Sequence, residues 1–125
     1  MIVSRKAIPG LSYVNRAEQF AYDADQGTMT ADNAWHTLSL SAIVPANAKL
    51  VVVRMRAANA SASRTFRMSK VGFTNSYSIA SLTTNVANIA VEQTAIIDCT
   101  GQQIQYWLTT GSWSAVGVVV LGWFL

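Results

Sequence analysis

What this chain has little of bounds what it can do. One cysteine, Cys99, excludes an internal disulfide and suits synthesis in a reducing cytoplasm. On its own it reads as a small buried hydrophobe. One histidine, His36, leaves no means of building a multi-histidine metal site or a histidine pair. Charge is also scarce: 12% of residues are Asp, Glu, Lys or Arg, about half the usual share of roughly 25%. With 51% of residues hydrophobic, much of the surface is expected to face something other than water. The closing apolar run, Ala115 to Leu125, is far shorter than the roughly 20 residues a helix needs to cross a bilayer. It is also rich in valine, which favours extended chain. The opening "MIVSRKAIPGLSY" has a basic pair without an apolar stretch behind it, so neither a secretory signal nor a membrane anchor is expected.

Catalytic and metal motifs are missing in the same way. Asp23, Asp25 and Asp32 fall in "DADQGTMTADN", which lacks the sixth-position glycine and closing glutamate of a calcium loop. No glycine-rich phosphate loop is present. Cys99 and His36 could form a nucleophile pair only if the fold joined them, and neither sits in a recognisable motif. The expectation is a protein that binds and does not turn over substrate, with no catalytic residue, no metal and no cofactor.

What is present is β-patterning. Residues 1–33 show no sustained period and contain Pro9, Gly10 and Gly27, so they read as an N-terminal arm and loop; within them, Asn15 to Tyr22 fits a short helix or a strand. Residues 34–125 read as a β-sandwich domain. In "WHTLSLSAIVP", Leu38, Leu40, Ala42 and Val44 alternate with polar residues up to Pro45, and His36 shares their inward parity. In "KLVVVRMRAAN", Val51, Val53, Met55 and Ala57 share one face. Phe66 and Met68 point inward from "RTFRMSK". "TNVANIAVEQ" and "TAIIDC" read as two further strands, and "DCTGQQ" as a turn centred on Gly101. "IQYWLT" and the closing run then read as a hairpin across "TGSW". Short strands at turn-separated intervals predict an all-β chain, an antiparallel jelly-roll-like β-sandwich with an irregular N-terminal arm.

The ending, "GSWSAVGVVVLGWFL", is apolar on both faces: Val116, Val118, Val120 and Phe124 alternate with Val119, Leu121 and Trp123. A sandwich strand shows one face to the core, so the second needs its own cover. With Ile104, Tyr106 and Leu108 inward, Trp107 is expected to join Val119, Leu121 and Trp123 in an outer patch. Burying Val119, Leu121 and Trp123 is worth on the order of 5 to 8 kcal/mol, comparable to the stability of a small domain. A homo-oligomer is the favoured cover and the chain's own arm the alternative, because closed symmetric assemblies commonly bury a repeated patch.

The net charge is +3, and no acidic residue lies between Asp32 and Glu92, where Lys49, Arg54, Arg56, Arg64, Arg67 and Lys70 all fall. Arg54, Arg56 and Arg67 have outward parity and could form a basic stripe across adjacent strands. No aromatic residues are interleaved with them to stack bases, which argues against nucleic acid and for an acidic protein neighbour. Trp35, Tyr77 and Trp113 are the candidates for stacking on a glycan.

In the order "IVPANAKLVVVRMRA", "RTFRMSK", "QIQYW" and "VGVVVLGWF", the chain from about Trp35 to Phe124 resembles small β-sandwich virion proteins of tailed bacteriophages. Members of that group serve as head decoration (cement) proteins or as fibre and tail-tip modules. The resemblance implies a jelly-roll-like virion structural protein, often trimeric, that is made in the host cytoplasm and stabilises the capsid by binding. Its partners would be itself, as a homotrimer, and the major capsid protein. Arg5, Lys6, Arg54, Arg56 and Arg67 would meet acidic capsid groups, and the arm would grip the capsid surface. The alternative implied is a receptor- or glycan-binding tip module of a phage tail or fibre.

Overall fold

A computed structural model describes residues 11–18 and 20–125. The chain is an all-β sandwich of two packed antiparallel sheets. Its strands in chain order are β1 Tyr13–Asn15, β2 Ala24–Asp25, β3 Trp35–Ser39, β4 Leu50–Ala58, β5 Thr65–Ser69, β6 Ala80–Thr83, β7 Val91–Asp98, β8 Gln103–Leu108 and β9 Ala115–Phe124. Among the described residues the only helical element is a single 3₁₀ turn at Ser76–Ser78. One sheet runs β1-β9-β4-β7, with β2 also paired to β9; the other runs β3-β8-β5-β6.

The core follows from period-two alternation in strands rich in β-branched residues. Val51, Val53, Met55 and Ala57 of β4 are fully enclosed. They meet Phe66 and Met68 of β5, and Ile104, Tyr106 and Leu108 of β8. Val116, Val118 and Val120 of β9 close the layer, as their parity predicts.

Several connections differ from the sequence expectation. β8 and β9 do not form a hairpin, because they belong to different sheets. The intervening segment is tied to the end of β4: Ser114 N donates to Ala58 O (3.1 Å) and Asn59 Nδ2 to Ser112 O (3.1 Å), which carries the chain across. Among the described strands, only β5 and β6 are both consecutive and paired. The strand from Trp35 ends at Ser39 and not at Pro45, since Ile43 N and Val44 N both turn back to Leu40 O. Ala42 is consequently exposed, although Leu40 and Val44 are buried as expected. β6 was not anticipated, and the two strands expected from "TNVANIAVEQ" and "TAIIDC" are one, β7.

The described part of the arm is bonded to the sheet. β1 and β2 line the free edge of β9 one after the other, with Val14 opposite Trp123 and Ala24 opposite Val118.

Candidate functional site

The outer face of the five-stranded sheet carries the apolar patch, with a membership set by one β-bulge. Along β4 and β9, Val53 pairs with Val120 but Val52 pairs with Gly122, so Leu121 is an extra residue. An inserted residue reverses the facing of everything beyond it. Trp123 therefore pairs with the enclosed Val51 and packs against the core, whereas Phe124 pairs with Leu50 and turns outward. The expected placement of Trp123 outside and Phe124 inside is reversed. Trp107 is outward but on the other sheet, so it does not join Val119 and Leu121.

The outer face runs through residues beyond the expected patch. Leu50 and Val52 of β4 share it with Phe124 and with Ile96 of β7, which is 61% exposed. Tyr13 extends the face, its ring 5.1 Å from that of Phe124. Val119 is half-buried and Leu121 is 40% exposed. Arg54 and Arg56 border the patch and both reach Glu92, at 3.1 and 4.0 Å. Ile96 was legible as an apolar residue in the outward register of "TAIIDC", but nothing local shows that Val52 lies beside it.

Between β1 and β2 the chain leaves the edge of β9, and side chains take over the missing hydrogen bonds. Val120 N donates to Asp23 Oδ2 (2.7 Å), and Arg16 Nη1 donates both to Val120 O (3.2 Å) and to Asp23 Oδ2 (2.6 Å). This largely buried ion pair substitutes for a rung of backbone pairing at a position where both groups of Val120 would otherwise lack partners. Asp23 is thus a structural clip and not a member of a cation loop. The Arg16 guanidinium also stacks on Phe20, 4.0 Å from the ring centre. The clip segment borders the patch without closing it: a cleft of about 340 Å3 lies open between Arg16, Phe20, Val119 and Leu121.

Two glycines shape this edge by close approach. A Cβ at Gly122 would lie 2.5 Å from Val14 O and also collide with the Tyr13 hydroxyl; one at Gly117 would collide with the Tyr22 ring.

The remaining candidates are dispersed. Arg67 lies on β5 of the four-stranded sheet, so it forms no stripe with Arg54 and Arg56; its guanidinium sits 4.5 Å over the Trp107 ring. Arg5 and Lys6 lie outside the described residues. Trp113 packs against the core and donates its indole N–H to Thr109 O (2.9 Å). Tyr77, on the 3₁₀ turn, is 97% exposed. Trp35 lies on β3 opposite Trp107, so Trp35, Tyr77 and Trp113 do not share one groove.

His36 stacks on Tyr106 (centroids 5.4 Å apart), and its Nε2 is 2.7 Å from Asp32 Oδ1. The Asp32 carboxylate is thus the hydrogen-bond partner of the ring. Cys99 is fully buried between β7 and β8; burial, and then the negative charge of Asp98, push its thiol pKa up, which disfavours the reactive thiolate. No hydrogen bond joins Cys99 to His36 among the described residues. Nor do those residues include a cluster of three or more His, Cys, Asp or Glu able to hold a metal. No helix among them is long and apolar enough to cross a membrane.

No protein-family model matches the chain, and no significant match is found among curated proteins or solved structures.

Proposed function

We propose that this protein is a self-associating structural β-sandwich of a virion, a head decoration protein that binds and stabilises the capsid as a homo-oligomer. The observation that carries the reading is the apolar outer face of the five-stranded sheet, running from Tyr13 and Phe124 through Leu50 and Val52 to Ile96. A sheet sandwiched on one side needs no oil on the other, and a contiguous apolar face marks an association surface. A second copy is the favoured occupant because the clip segment leaves Leu121 and Ile96 uncovered and closed symmetry buries a repeated patch.

The strand orders β2-β9-β4-β7 and β3-β8-β5-β6 support the jelly-roll reading: the chain alternates between sheets at every step from β2 to β9 except β5 to β6. Two interleaved Greek keys, the pattern of a jelly roll, would have this alternation. The virion assignment rests on this topology together with the resemblance described above. Trimer symmetry and the capsid as partner belong to the same proposal, with Arg54 and Arg56 outnumbering their shared Glu92 at the patch border.

Light scattering coupled to size exclusion gives the mass of the assembly, and mixing the purified protein with expanded, undecorated heads tests capsid binding. A monomer at every concentration removes self-association. Heads that stay bare remove the decoration role.

A further inference from the structure

The outer face of the four-stranded sheet is chemically unlike the first. Its register places Trp35, Trp107, Arg67 and Ser81 in one row across β3, β8, β5 and β6. The next row places Thr37, Gln105 and Ser69 side by side. Gln105 is buried there because the segment after β5 folds over it: Gln105 Nε2 donates to Phe73 O (2.7 Å) and Ser69 Oγ (2.9 Å), and Gly72 N donates to Gln105 Oε1 (3.3 Å). This segment makes a fixed wall beside the tryptophan row.

Within that row the recognition groups are free. Neither indole N–H of Trp35 or Trp107 bonds to a described residue, and both rings are half-buried with the remainder facing solvent. The guanidinium of Arg67 lies over Trp107, 4.5 Å from the ring centre, and Arg67 has no carboxylate partner among the described residues. A guanidinium stacked by one face keeps its N–H edge available, and that edge takes a carboxylate bidentately. No other side chain in these two rows is charged.

We infer that this face binds an acidic carbohydrate, with Trp35 as the stacking floor and Arg67, backed by the Trp107 ring, as the group that receives the sugar carboxylate. Amphipathic indoles suit the apolar faces of pyranose rings, and their N–H groups with the hydroxyls of Ser81 and Thr37 suit sugar hydroxyls. A sugar acid fits better than a nucleic-acid strand, because a strand carries a charge at every phosphate and is tracked by several cations, whereas one is present here. The face lies on the opposite side of the sandwich from the association patch, so an oligomer would leave it accessible. The inference is independent of the capsid assignment.

The test uses the full chain on an array of neutral, sialylated and uronic-acid-bearing oligosaccharides, with oligo-dT as a separate arm. The wild type should retain acidic glycans with an affinity about tenfold or more above their neutral congeners, the range of a charged hydrogen bond. Arg67→Gln should abolish that preference without changing oligomer mass, and Arg67→Lys should restore it only in part. Trp35→Ala should lose binding of acidic and neutral glycans together, while Tyr77→Ala should change nothing. Should Trp35→Ala fail to fold, Arg67→Gln alone decides the matter. Equal retention of neutral and acidic sugars, an unaltered preference in Arg67→Gln, no retention at millimolar glycan, or stronger retention of oligo-dT would each overturn it.

Discussion

Replacing Ile96 by aspartate tests the association face at its most exposed point. Ile96 is 61% exposed, and complete burial of such a side chain is worth about 1.5 to 3 kcal/mol, so covering what remains contributes about 1 to 2 kcal/mol per copy. In a closed homotrimer each interface loses this contribution once. The loss is then about 1 to 2 kcal/mol per interface, or about 5- to 30-fold in its dissociation constant, before the cost of desolvating a carboxylate is added. The folded protomer should survive, because the side chain is not part of its core. Val86→Asp is the matched control: Val86 is 59% exposed on the turn before β7, ten residues before Ile96 in the chain and outside the strand, whose first residue, Val91, is itself roughly 16 Å from Ile96. Sedimentation velocity across a dilution series should show Ile96→Asp as a protomer where the wild type and Val86→Asp remain assembled. If Ile96→Asp sediments like the wild type at every dilution while staying folded, the face is not the interface.

Three further outcomes probe the protomer. Asp23→Ala removes the partner of a largely buried arginine and the acceptor of Val120 N, and should lower unfolding stability by about 3 kcal/mol in urea titration; a loss under 1 kcal/mol would show the clip to be dispensable. Gly122→Ala should displace β1, because Val14 O is backbone and cannot rotate away; faster amide exchange at Val14 and Asn15 than in the wild type is the expected signal, and unchanged protection contradicts it. Burial raises the Asp98 pKa, but the hydrogen bonds from Thr100 and then the Lys70 ammonium outweigh it and leave the group below its ordinary value. Its contribution is therefore complete above the ordinary aspartate value of about 3.9 and is lost as pH falls through the lower folded value. Asp98→Asn should melt lower than the wild type at neutral pH and converge with it in acid; parallel melting curves across that range would contradict the assignment.

The strands with an alternating core face were legible from local pattern. Met55 and Phe66 have polar or cationic neighbours, and a period of two leaves one way to bury them. The ending was legible only up to Val120. A bulge belongs to a pair of strands, and nothing in "VVVLGWF" marks Leu121 as the residue without a partner. The error in placing Trp107 has the same origin: its parity was right, but the choice of sheet depended on where Ser114 and Asn59 find hydrogen bonds. Asp23 was visible as a carboxylate in a polar loop, while its work as a clip needed Arg16 and Val120 to be brought together.

By itself, the order of residues determined that this chain would be a two-layer β-protein and that apolar surface would be left over outside its core, because alternation and hydrophobic excess are properties of a strand taken alone. Tertiary structure decided which residues form that surface, joining Ile96 and Val52 to Phe124 and turning Trp123 inward, and it set Trp35 beside Trp107 and Arg67 on the opposite side. Register and sheet order depend on contacts between segments far apart in the chain, and no short stretch encodes them.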